Sequence, residues 1–456
     1  MIHRLAAAAT TALLPALLTA APAQIAAPAP AAAPTPAAAP AQLAAPARAA
    51  APARAAAPAR AAASARVEAQ AAEIPCPKPK VIEKPKNVPP RPVPPPDNPA
   101  GSAIGGPGLA THGLVIPPGA KLPPAVTATT WMVADLDTGQ VLGGCGPHVY
   151  QTPASVQKTL LAATVMDKLN PRQVITVAPS DLNIEAHSSA VGIVPGGRYA
   201  ISTLWLGLLL NSGNDAANAL ARLAGGGGPD GVAKTVAAMN AEAKRLGAFQ
   251  THAVTPSGLD GKGQFTSAYD LALIAREDFA KPDFRKYVLT RTAYMPAQPK
   301  LKKAGFQFQN ENKLIYNYPG AMGGKTGFTT VARTSYMSAA QRNGRRLVVT
   351  LLGAETRPQR GWQQGEALLN WGFSLPRDAS VGRLVTPAEV ASQATPESGS
   401  ASVGARPVVQ QARPDSGPPR TLEVAATASV ALVSALLLFR LRAGRKSTRR
   451  PPPPTS

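Results

Sequence analysis

Ser155 and Lys158 stand three residues apart in the run Pro153-Ala154-Ser155-Val156-Gln157-Lys158-Thr159-Leu160. If Pro153 and Ala154 open a helix that continues through Leu160, Leu161 and Met166, that spacing puts a hydroxyl and an amine on one face of its first turn, within reach of each other. A serine hydroxyl becomes a nucleophile when a base takes its proton, and a lysine can be that base once burial or a neighbouring cation lowers its pKa. Two further motifs follow downstream. At Ser212-Gly213-Asn214 a hydroxyl can relay a proton to a leaving amine, and an amide side chain can hold a substrate backbone. At Lys325-Thr326-Gly327 an ammonium and a hydroxyl lie beside a residue with no side chain, which makes a clamp for a carboxylate on a peptide lying along the strand. Ser-x-x-Lys alone is expected by chance about once or twice in a chain of this length, where it marks only a polar stripe on a helix. The three motifs in this order, within one globular stretch, carry the chemistry.

These groups need a scaffold, and the hydrophobic patterning supplies one. Residues 131–137 read as a strand, Thr138-Gly139 as a turn and 140–142 as the returning strand. The serine helix comes next, followed by helices over 201–210, 216–223 and 232–246, with a break at 211–214 and the glycine run 225–228. Strands at 334–340 and 347–352 flank an Asn343-Gly344 hairpin turn, and 363–371 closes as a helix. Strands at both ends with helices between them predict an α+β domain: an antiparallel sheet packed by helices, beside an all-helical lobe. Asp135 and Asp137 are read as turn caps, and Trp131 and Trp371 as core.

The flanks differ in kind. With 49 prolines and 39 glycines among 456 residues, only the middle of the chain has globular composition. Residues 1–23 read as a secretory signal, with a His3-Arg4 head, an apolar core and a small-residue site ahead of Gln24; an uncleaved anchor is the alternative. Residues 24–124 form an Ala/Pro-rich linker, extended because a proline interrupts each Ala-Pro-Ala-Arg unit, with order expected from about Thr129. The catalytic domain is placed at 125–376, a second linker at 377–420, a transmembrane helix at 421–441 and a basic cytoplasmic tail at 442–456. An interfacial helix held by its basic end is the alternative for 421–441. A formal charge of +22 invites a nucleic-acid reading, but many of the basic residues lie in proline-rich or terminal segments with no interleaved aromatics. Attraction to an anionic surface is the better account, and no nucleic-acid partner is expected. In an exported protein Cys76 and Cys145 meet an oxidising compartment, where they either bridge or stay free. His148, His187, His112 and His252 lack metal-ligand spacing, so no metal site is expected.

Taken together, Ser155-x-x-Lys158, Ser212-x-Asn214 and Lys325-Thr326-Gly327 resemble the signature of the penicillin-recognising serine enzymes. The closer likeness is to the serine-type D-alanyl-D-alanine carboxypeptidases of the low-molecular-weight penicillin-binding kind, peptidase family S11. It is carried by 153–158, 209–216, Thr255-Pro256-Ser257-Gly258-Leu259-Asp260, 324–327 and 369–373, and it covers about 129–376. The resemblance implies the penicillin-binding, β-lactamase-like transpeptidase fold with a five-stranded antiparallel sheet, and no cofactor. It implies that Ser155 is acylated, Lys158 is the base and Ser212 relays a proton. Asn214 would orient the peptide, and Lys325, Thr326 and Gly327 would bind its terminal carboxylate. Backbone N–H groups of Ser155 and Phe328 would hold the oxyanion, and Arg360 would assist at the carboxylate, with Arg357 and Arg333 as competitors. The implied partners are peptidoglycan stem peptides and β-lactams, with the membrane as anchor; no oligomeric state can be read.

Three alternatives stay open at this level. A class A β-lactamase has Ser-Asp-Asn and a loop glutamate that activates the deacylating water, whereas here Gly213 replaces that aspartate. Glu242, Glu277 and Glu311 fall in expected helices or lack the loop asparagine, so a penicillin is expected to inhibit. A transpeptidase differs only in whether an amine or water accepts the acyl group. A catalytically silent sensor of stem peptides would keep the fold and lose the acylation.

Overall fold

The computed structural model describes residues 73–83 and 85–394. In chain order these residues form a short helix α1 (Pro99–Ser102) and a two-residue strand β1 (Leu114–Val115), then a hairpin of β2 (Thr130–Asp135) and β3 (Gln140–Cys145). A 3-10 turn (Ala154–Gln157) leads into helix α2 (Lys158–Val165). The small pair β4 (Val174–Thr176) and β5 (Arg198–Ala200) precedes helices α3 (Ile201–Leu210), α4 (Asn214–Ala224), α5 (Gly231–Leu246), α6 (Ala268–Ala280) and α7 (Pro282–Leu289). A second hairpin, β6 (Thr292–Met295) and β7 (Phe306–Gln309), and the one-turn helix α8 (Leu314–Asn317) lead to the long strands β8 (Ala321–Thr329), β9 (Arg333–Arg342) and β10 (Arg345–Ala354). Helix α9 (Gly361–Ser374), strand β11 (Gly382–Arg383) and helix α10 (Pro387–Ala394) follow.

The central sheet is antiparallel, in the order β1-β3-β2-β10-β9-β8, with β11 also on β3. Five long strands carry it, as expected. The two additional strands, each of two residues, share the outer edge of β3 and bring the total to seven. Strand periodicity sends alternate side chains to two separate cores. Met132 and Ala134 of β2 and Val348 of β10 face the cluster built with α2 to α6, while Trp131, Val133, Leu347 and Val349 face α9. On that second face Trp131 meets Trp371 edge to face, their ring centroids 5.9 Å apart, so both tryptophans are core. Asn343 and Gly344, at φ 47° and 73°, make the two-residue turn that the Asn-Gly pair dictates. Asp135 caps the β2–β3 turn by accepting from the N–H groups of Asp137 and Thr138, whereas Asp137 pairs with Arg346. Helices α2 to α5 pack on one another as the helical lobe, and β8 is the sheet edge that lies against the Ala154–Gln157 turn.

Two domain boundaries need correction. Residues 73–124, expected to be linker, are packed where they are described: Leu109, Leu114 and Val126 are buried, and Cys76 is bridged to Cys145 at the end of β3. Ile74 accepts from the N–H of Leu114 at 2.7 Å, and Arg91 donates to Gln151 at 3.0 Å. Proline density limits helix and ladder here to the short α1 and β1, but an extended chain still presents carbonyls and apolar side chains for docking. At the other end the domain does not stop at 376. β11 pairs with β3, Leu384 and Val385 are buried, and α10 packs on α5. The expected signal, the rest of the first linker, the second linker beyond 394, the transmembrane helix and the tail lie outside the described residues. No helix among the described residues is long and apolar enough to cross a membrane.

Candidate active site

Ser155 lies in a 3-10 turn rather than in the first turn of an α-helix. With three residues per turn, positions i and i+3 eclipse, and the Lys158 amine reaches the Ser155 hydroxyl at 2.8 Å. The turn is forced from below. Ala154 is left-handed at φ 49°, and Gly258 comes so close that a Cβ there would lie 2.0 Å from the Ala154 carbonyl oxygen. From above, β8 lays Gly327 on the turn, where a Cβ would lie 2.8 Å from the Ser155 nitrogen. Glycine at both positions lets the Ser155 turn be gripped between strand and loop.

Lys158 is completely buried, at 0% exposure. Its Nζ has three partners: Ser155 Oγ, Asn214 Oδ1 at 2.7 Å and the Ser257 carbonyl at 2.8 Å. Two of these can only accept. A neutral amine has two N–H groups for them and a lone pair left for the serine proton. Burial pushes the Lys158 pKa well down, and the Lys325 cation pushes it further against the opposing carboxylates of Asp215 and Glu311. Lys325 is also buried, with its pKa lowered to about 8 by desolvation while Glu311 opposes the drop. Its Nζ donates to Ser212 Oγ at 3.0 Å and to the Thr326 carbonyl at 2.6 Å. Ser212 sits left-handed, at φ 64°, in the break between α3 and α4, so its hydroxyl leaves the helix axis and meets Lys325.

Ser155, Ser212, Asn214, Thr326, Gly327 and Phe328 line one open cleft of about 1170 Å³. Arg360 stands on its rim as the exposed N-cap residue of α9. Its competitors are engaged: Arg333 is buried against Glu355 at 2.8 Å, and Arg357 pairs with Glu83 at 3.1 Å. The Phe328 ring is over half exposed and lies under the Arg333 guanidinium, 5.2 Å away. Three contributors have no role assigned from the sequence. The Ser257 carbonyl holds Lys158, and Asp260 accepts from Thr329 at 2.9 Å. Glu311 lies in a loop between β7 and α8, directly before Asn312, and lines the cleft. Among the described residues no group of three or more His, Cys, Asp or Glu could hold a metal.

A serine hydroxyl on a buried amine, a second hydroxyl on a second buried amine and an open edge strand beside them define an acyl-transfer enzyme of the serine–lysine type. Residues 118–356 match the family model for D-alanyl-D-alanine carboxypeptidases, peptidase S11, and the chain belongs to that family. It is 44% identical over 276 residues to the D-alanyl-D-alanine carboxypeptidase DacB2 of Mycobacterium tuberculosis, covering 59% of this chain and 90% of that one. A D-alanyl-D-alanine carboxypeptidase DacD of Salmonella typhimurium is 34% identical, over 56% of this chain and 64% of its own. Among solved structures, a D-alanyl-D-alanine carboxypeptidase of M. tuberculosis superposes with a TM-score of 0.55 at 42% identity, over 59% of this chain and all of that one. The DD-transpeptidase of Streptomyces K15 gives 0.53 at 27% identity, over 56% of this chain and all of its own.

Proposed function

We infer that the protein is a serine-type D-alanyl-D-alanine carboxypeptidase that removes the terminal D-alanine from peptidoglycan stem pentapeptides and is acylated by β-lactams. The observation that carries this reading is the buried Lys158 amine, whose lone pair is left facing Ser155 Oγ once its two N–H groups are spent on Asn214 and Ser257. Ser155 Oγ attacks the carbonyl carbon of the penultimate D-alanine while its proton passes to Lys158 Nζ. The substrate's C-terminal carboxylate rests on Lys325 and Thr326, the peptide runs along β8, and Asn214 orients it. Backbone N–H groups of Ser155 and Phe328 hold the oxyanion. The C–N bond then breaks as Lys158 passes that proton through Ser212 Oγ to the leaving D-alanine amine, which leaves an ester on Ser155 and a neutral Lys158. Water attacks that ester and gives a proton to Lys158, which hands it to Ser155 Oγ as the ester C–O bond breaks. Arg360 adds a cation at the carboxylate end. A secretory signal and a C-terminal membrane anchor would keep the domain outside the cell membrane, at its substrate.

The test is release of free D-alanine by the full-length protein from a peptide ending in D-Ala-D-Ala, together with a fluorescent penicillin label that survives denaturation. Ser155→Ala is expected to abolish both. Release undiminished in that variant would remove the mechanism; labelling without any release would leave the transpeptidase, and neither labelling nor release would leave the sensor.

A further inference from the structure

We propose that Glu311 is a positioning residue of this site, a fixed carboxylate at the cleft that keeps the positive charge on Lys325 so that the carboxylate clamp stays cationic beside a neutral Lys158. The proposal rests on the acyl-transfer reading above. Glu311 is held between two buried asparagines. Asn310 Nδ2 donates to the carbonyls of Val288 and Thr290, at 3.0 and 3.1 Å. Asn312 Oδ1 accepts from the Tyr336 hydroxyl at 2.8 Å, and its Nδ2 donates to Ser338 Oγ at 3.2 Å. The Glu311 N–H donates to the carbonyl of Leu210 at 3.0 Å, two residues before Ser212. With both neighbouring side chains turned inward, the Glu311 side chain goes out to the cleft that Ser155, Ser212 and Asn214 also line. It has no ion-pair partner among the described residues, and its charge acts on two buried amines, Lys158 and Lys325.

Another acid near the lysines is already committed. From α4, Asp215 spends its carboxylate on the N–H groups of Val191, Gly192, Ile193 and Ala216. From β9 the Tyr336 phenol faces Asn312, and Tyr287 of α7 is buried. Glu185, His187, Asp260 and Arg360 lie on the cleft lining. Glu311 is the acid whose field favours the charged form of both Lys158 and Lys325. Buried amines in a low-dielectric setting are sensitive to a charge of this kind.

Activity rises with pH as Lys158 loses its proton and falls as Lys325 loses its own, so removing the Glu311 charge moves both limbs of the kcat/KM profile to lower pH. The experiment compares full-length wild type, Glu311→Gln and Glu311→Asp on a D-Ala-D-Ala peptide between pH 5 and 10. Glu311→Gln is expected to lose about threefold in kcat/KM at pH 9, through a raised KM, and little at pH 7. Glu311→Asp is expected to keep both limbs near their wild-type positions. Limbs that do not move in Glu311→Gln, or a uniform fall at every pH, would overturn the proposal, because a merely structural role predicts that pattern. A wild-type enzyme that releases no D-alanine would overturn the acyl-transfer reading first, and this inference with it.

Discussion

Asp215 touches none of the reacting groups, yet the site is tied together through it. Its two carboxylate oxygens accept from four backbone N–H groups, three of them in the 191–193 segment that is 22 to 24 residues upstream. The same residue follows Asn214, whose amide oxygen receives the Lys158 amine, and it also favours the charged form of Lys158. Replacing one oxygen by an amide NH2 in Asp215→Asn turns an acceptor into a donor aimed at donors. We expect a stability loss of about 2–4 kcal/mol, read from the denaturant midpoint, with penicillin acylation slowed because Asn214 loses its footing. An unchanged midpoint would mean that the loop does not depend on this carboxylate. The sequence displayed the Ser-x-Asn motif but not this role, since the donors are backbone atoms and backbone donors carry no residue signature. The Ser257 carbonyl escaped for the same reason.

At the scale of elements, the strands and helices with strong periodicity were legible: α3 occupies Ile201–Leu210 as expected, and the Asn343-Gly344 hairpin joins β9 to β10. What composition concealed was docking. A segment dense in proline reads as tether because it can build neither helix nor ladder, yet residues 73–83 and 85–97 are fastened along the domain by the Cys76–Cys145 bridge, the Arg91–Gln151 bond and the Glu83–Arg357 pair on the cleft rim. The serine turn was misread in detail for a related reason. Ser-x-x-Lys spacing suits an α or a 3-10 turn equally, and the choice is made by Gly258 and Gly327 pressing on it from distant parts of the chain. The disulfide closes a loop with a sequence separation of 69 residues. In the chain-entropy account a loop of that size contributes about 4 kcal/mol by restricting the unfolded chain. Cys145→Ser, or wild type under reductant, is therefore expected to unfold at a markedly lower denaturant concentration, and reductant should do nothing further to the variant. Equal midpoints for oxidised and reduced wild type would show that the strap is held without the bridge.

For the whole molecule, the corrected boundary changes the reach of the enzyme. Because helix α10 carries the domain on through Ala394 rather than letting it stop at 376, the expected tether to the 421–441 run is at most 395–420, which could extend about 80 Å at 3.1 Å per residue. Arg440, Arg442, Arg445, Lys446, Arg449 and Arg450 cluster at and beyond the end of the apolar run, an arrangement that would place the tail of a spanning helix in the cytoplasm and the domain outside. A spanning helix and a basic interfacial helix respond differently to salt, since only the second is held by charge. We expect the full-length protein to fractionate with membranes and to resist high-salt and alkaline washing, and a chain ended after Ala394 to be recovered in the soluble fraction with its penicillin labelling intact. Release of the full-length chain by salt alone would favour the interfacial reading. Recovery of the shortened chain in the membrane fraction would move the anchoring surface onto the domain itself, where its exposed basic side chains would be the first feature to test by charge reversal.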